Sequence, residues 1–70
     1  MTTEQILYRL DQSIADHRAA GNVGIAHDIC CARARIVSGA AVLTLKPVKL
    51  PNGRGMSLYD NGVWMTSILA

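Results

Sequence analysis

The segment KLPNGRGMSLYDNGVWM, from Lys49 to Met65, sets the architecture of the chain. Pro51-Asn52-Gly53-Arg54-Gly55 is a dense turn signal. Asn61-Gly62 is a second one, of the two-residue type I′ kind, because both residues tolerate the positive φ which that turn demands. Around these turns lie Val42 to Leu50, Met56 to Asp60 and Val63 to Leu69, which are short and rich in apolar or β-branched residues. Two successive hairpins make a three-stranded antiparallel meander. Pro47 has no N–H to donate to a ladder, so the first strand belongs at an edge or is interrupted.

Cross-strand partners share a face, which allows the register to be written from the turns. Asn61-Gly62 pairs Asp60 with Val63, Tyr59 with Trp64 and Leu58 with Met65. A five-residue first loop pairs Leu50 with Met56 and Val48 with Leu58. One face then carries Val48, Leu50, Met56, Leu58, Val63 and Met65, with Lys46 opposite Asp60 at its end. The other carries Pro47, Lys49, Ser57, Tyr59, Trp64 and Thr66. The first face is expected to pack on the remainder of the chain.

That remainder reads as helical. Thr2 with Gln5 fits the spacing of a capping box, and a helix is predicted over 3–20. At about 100° per residue, Ile6, Leu7, Leu10, Ile14 and His17 share one side of it. Gly21 is a stop and Asn22 a natural next cap. A second helix over 23–38 places Ile25, Ile29, Ala32 and Ile36 in a row, with Ala26, Cys30 and Val37 widening the apolar side, and Gly39 ends it. The short connection forces an antiparallel hairpin, in which Ala26 and Ala32 let the helices approach closely. The predicted fold is a single α+β domain of order ααβββ, a helical hairpin over 3–38 packed on a β-meander over 42–69.

Composition supports a folded chain and limits its chemistry. Of 70 residues, 50% are hydrophobic and 17% charged, too apolar for a disordered segment. With no Phe, and only Tyr8, Tyr59 and Trp64 as aromatics, the core must be aliphatic. A chain this short buries about 60% of its unfolded surface, and the adjacent pair Cys30 and Cys31 offers no disulfide framework, so a homo-oligomer is expected. The charge of +2 is too mild to announce nucleic acid. Glu4, Arg9 and Asp11 do not fit a secretory leader, and the uncharged runs fall short of the roughly 20 residues of a membrane span. A soluble, cytoplasmic protein with no membrane partner is expected.

No catalytic constellation is visible: Glu4, Asp11, Asp16, Asp28 and Asp60 are scattered, and there is neither a nucleophile elbow nor a phosphate-binding loop. The chain is therefore expected not to be an enzyme and to need no cofactor. His27 and Cys31 share a helix face but supply only two metal ligands, so a site would need His17 and another donor, or a second subunit; no metal is expected. Cys31 lies between His27 and Arg35 at helical spacing, a setting that can make a thiol reactive. Arg33 falls inside the apolar side of its helix, where it either snorkels to solvent or pairs with an acid across an interface. The expected binding surface is the sheet face with Tyr59, Trp64 and Lys49, together with Arg54 in the loop at its end and Arg33. Paired aromatics anchor a protein contact or stack a base, and the cations favour an acidic surface or phosphate.

The segments AHDICCARARI (Ala26 to Ile36) and KPVKLP (Lys46 to Pro51) resemble the small accessory proteins of tailed bacteriophages and prophages. The resemblance covers about half the chain and carries no functional residue across. It implies a non-enzymatic protein that binds a bacterial host or defence factor, as an inhibitor or modulator. A nucleotide- or nucleic-acid-binding protein using the aromatic and basic sheet face is the alternative.

Overall fold

The structure, a computed structural model describing all 70 residues, has the order α1 (Thr3–Ala19), α2 (Val23–Val37), β1 (Leu43–Leu50), β2 (Gly53–Asp60) and β3 (Val63–Leu69). The strands form one antiparallel sheet in the order β1-β2-β3. This is the α+β domain of two helices and a three-stranded meander expected from the turns and periodicities.

Both helices end, and α1 also begins, on short-range chemistry written in the sequence. The Thr2 Oγ1 accepts from the Gln5 N–H at 3.2 Å while the Gln5 side chain accepts from the Thr2 N–H at 2.8 Å, a complete capping box. At the other end of α1 the Asn22 N–H donates to the His17 carbonyl at 2.7 Å and the Gly21 N–H to Arg18 at 3.1 Å. Gly21, at φ +80°, allows that reversal. The end of α2 repeats the arrangement around Gly39. Asn22 occupies the N-cap of α2 but makes no side-chain capping bond. Its amide lies 3.4 Å from His17 Nδ1 instead, so it closes the preceding helix rather than opening the next.

The core joins Ile6, Leu10 and Ile14 of α1 to Ala26 and Ile29 of α2 and to Leu58 and Ile68 of the sheet. Complete burial of a side chain the size of Leu10 stabilises the fold by about 1.5–3 kcal/mol. Buried Ala26 and Ala32 let the helices close on each other, as their size predicted. Ile25 and Val37, read from the sequence as part of the apolar side of α2, are 49% and 59% exposed. They sit at the margins of a stripe whose centre is Ala26, Ile29 and Ala32, and neither α1 nor the sheet reaches them.

The second hairpin turns as predicted, with Asn61 at φ +50° and Gly62 at φ +82°, and pairs Asp60 with Val63 and Tyr59 with Trp64. A register shift follows at once, so Leu58 stands opposite Thr66 rather than Met65. Thr66 is consequently buried, and Met65 packs against the core. The first hairpin is tighter than expected. Only Pro51 and Asn52 form the turn, and Gly53, at φ +137°, already pairs with Leu50. Replacing the five-residue loop by two residues shifts β1 by an odd number of positions, which exchanges its faces relative to β2. Leu43 and Leu45 now pack on the core, while Val48 and Leu50 turn to the opposite side.

Candidate functional site

Met56, Leu58 and Ile68 point toward the helices, so the alternate positions, Gly55, Ser57, Tyr59, Trp64, Ser67 and Leu69, form an outer face. Thr44, Lys46, Val48 and Leu50 complete it from β1. The centre is built from small residues: Ser57 and Ser67 are cross-strand partners whose hydroxyls lie 2.9 Å apart. Ser57 is only 7% exposed although it points away from the helices.

At one end of this face the Trp64 indole N–H reaches the Ser67 hydroxyl at 3.4 Å, and the residue is 56% exposed. Tyr59 is its cross-strand partner, and the Lys46 ammonium stands over the Tyr59 ring at 4.8 Å. That cation–aromatic contact holds Lys46 where it is the single charged side chain of the face. At the other end Leu50 lies over Gly55, whose missing Cβ gives it room, and Val48 and Leu69 flank it. The whole is an aromatic end and an aliphatic end separated by a serine pair.

The expected binding residues do not all meet here. Tyr59 and Trp64 do, as the I′ turn requires. Lys49 does not: with β1 turned over, it lies on the other side of the sheet as the direct partner of Arg54, and both are exposed. Arg54 belongs to β2 rather than to a loop. Arg33 is on α2, away from this face, and its Nε donates to Asp11 of α1 at 2.7 Å. Lys46 takes the place given to Lys49. The sequence reading put it opposite Asp60, and the exchanged faces of β1 put it opposite Ser57 instead. Only the length of the first turn could have revealed it.

A second cluster lies on the helical side. The Asp60 carboxylate accepts from Arg35 Nε at 2.6 Å and from the Val42 N–H at 3.0 Å, and Arg35 also donates to the Ala40 carbonyl at 3.2 Å. The Arg35 bond, then the Val42 bond, hold Asp60 below its ordinary value, and the same pairing raises Arg35. Arg35 is thereby committed to the fold. Of the polar groups around Cys31, His27 is the one within reach, with Nε2 3.6 Å from the sulfur. Nowhere does the chain gather three or more His, Cys, Asp or Glu side chains in a metal-binding arrangement, and no helix is long and apolar enough to cross a membrane. No family model matches the chain, and no curated protein or solved structure matches it significantly.

Proposed function

We propose that this protein works by binding, with the outer face of its sheet docking onto an acidic protein surface that also presents an apolar patch. The observation that carries the reading is Trp64, half of whose surface stays in water beside Tyr59 and Lys46 on a face that nothing in the chain covers. Tryptophan and tyrosine contribute most to protein contacts when a partner seals them from water, and exposing them otherwise has no structural return. Lys46 is pre-positioned by the Tyr59 ring, so a partner carboxylate meets an ordered cation. The chain's own charge of +2 points to the same sign of partner. The resemblance to phage accessory proteins supports a bacterial target, and on that reading the protein is an inhibitor or modulator that covers a surface of a host or defence factor.

A nucleotide or nucleic-acid ligand is less well supported. One face of Tyr59 is occupied by Lys46, and Lys49 and Arg54 stand on the other side of the sheet, where they cannot neutralise a phosphate chain lying along the aromatics.

The test compares wild-type protein with Tyr59→Ala/Trp64→Ala and with Lys46→Glu as baits for bacterial lysate, after circular dichroism shows each variant folded. Wild type is expected to retain a protein that both variants release, and that release should be matched by raised salt. Equal retention by all three, or none by wild type, overturns the assignment. Trp64 fluorescence is expected to stay unchanged as oligonucleotides are titrated at low salt; a saturable change would move the reading to nucleic acid.

A further inference from the structure

The exposed side of α2, opposite the core, carries Gly24, His27, Cys31 and Ala34. Their spacing of three, four and three residues is that of a seam along which two helices pack. The seam has no charged residue. Its outer positions, Gly24 and Ala34, are small enough for a second helix to come close, and a Cβ at Gly24 would meet nothing within 4 Å. Its two central positions are metal donors. His27 Nε2 and Cys31 Sγ are 3.6 Å apart and both exposed. In a tetrahedral zinc site with Zn–S of about 2.3 Å and Zn–N of about 2.1 Å, the sulfur and nitrogen ligands stand roughly 3.6 Å apart. The separation of the pair thus matches that of two ligands of one ion.

Two donors do not complete a tetrahedron, and no third His, Cys, Asp or Glu is gathered beside them. We infer that His27 and Cys31 form half of a zinc site that a second copy of this chain completes, the two α2 helices crossing antiparallel. Antiparallel crossing sets each His27 against Cys31 of the other copy and each Gly24 against Ala34, giving one ion four ligands, two nitrogens and two sulfurs. Each Cys31 binds as thiolate and gives its proton to solvent on metal uptake. Cys30 takes no part, since it is turned toward the core and its sulfur lies 3.6 Å from an Arg18 nitrogen. Cys31 shares a groove with Asp60, Val63 and Met65 at the hairpin end of the sheet, whereas Tyr59 and Trp64 belong to its outer face, and either reading stands without the other.

The experiment uses the reduced full-length chain, freed of metal by a chelator and titrated with zinc chloride while its mass is followed by light scattering. Cobalt chloride serves as the spectroscopic probe. Expected are a doubling of mass at one ion per two chains, and a cobalt spectrum with the intense visible bands of a tetrahedral site and a sulfur-to-metal charge-transfer band. Cys31→Ser and His27→Ala should lose both signals, and Cys30→Ser should keep both. These positions are exposed, so the variants are expected to fold, and circular dichroism verifies it. A chain that takes up no zinc, takes up one ion per chain without change in mass, or dimerises equally after Cys31→Ser overturns the inference.

Discussion

The Asp60 carboxylate touches segments that are far apart in the chain: the last turn of α2 through Arg35 and the approach to β1 through the Val42 N–H. Because those bonds favour the ionised form, its folded pKa lies below the ordinary 3.8. A lowered pKa means that the contribution is fully present above the unfolded value and is lost as pH falls through the folded one. Wild-type protein is therefore expected to hold its urea midpoint from neutrality to about pH 5 and to lose part of it below about pH 4. Asp60→Asn should start lower at neutrality and fall less across that interval. Midpoints that decline in parallel would show that the ion pair adds nothing to the acid response. Arg33 and Asp11 form the other ion pair, with side chains 37% and 55% exposed, and a pair so wet is worth only about 0.2–1 kcal/mol.

Among the elements, the first hairpin depends on Gly55, which the sequence presents as a turn residue and the structure uses inside β2. A Cβ at Gly55 would run into the Ile68 carbonyl oxygen and come within 2.5 Å of Leu50 Cδ1. Leu50 can swing aside, but the carbonyl belongs to the neighbouring strand and cannot. Gly55→Ala is expected to cost about 1–3 kcal/mol in chemical denaturation, the range for overpacked sites. Gly24→Ala, in open space on α2, should instead gain up to about 1 kcal/mol from lower backbone entropy in the unfolded chain. Equal midpoints for the two variants would contradict this account of the hairpin. The same hairpin carries a like-charge neighbour pair, Lys49 beside Arg54, that local sheet energetics disfavour. Nothing in the structure explains why both are cationic.

For the molecule as a whole, the core is a handful of aliphatic side chains with no aromatic among them. A domain of this size holds roughly 3–5 kcal/mol of net stability. Leu10 is fully buried, and Leu10→Ala is expected to remove about 2–5 kcal/mol, a loss comparable to that whole margin. Thermal melting followed by circular dichroism checks it, and a curve superimposable on that of wild type would contradict it. A margin so narrow also makes any partner that binds the folded form a stabiliser, so wild-type melting should rise with zinc if the α2 seam dimerises.

Short-range order alone specified the two helices, their glycine ends and the Asn61-Gly62 turn. Each depends on interactions within a few residues: the Thr2–Gln5 box, the Gly21 and Gly39 reversals, and an Asn-Gly pair that accepts positive φ. The pairing of Tyr59 with Trp64 followed, since a two-residue turn leaves no freedom in the first rungs. What lay beyond local reasoning was any feature that depends on how many residues a turn consumes. Pro51 to Gly55 could close in two residues or five, and an odd difference exchanges every side chain of β1 between the faces. Lys46 rather than Lys49 reached the aromatic face for that reason, and Arg33 met Asp11 because helix packing, not sequence distance, set them side by side. Side chains at period 3.6 or 2 are fixed by the backbone near them, whereas contacts between elements are fixed only when the core closes and one register buries more apolar surface than its rivals.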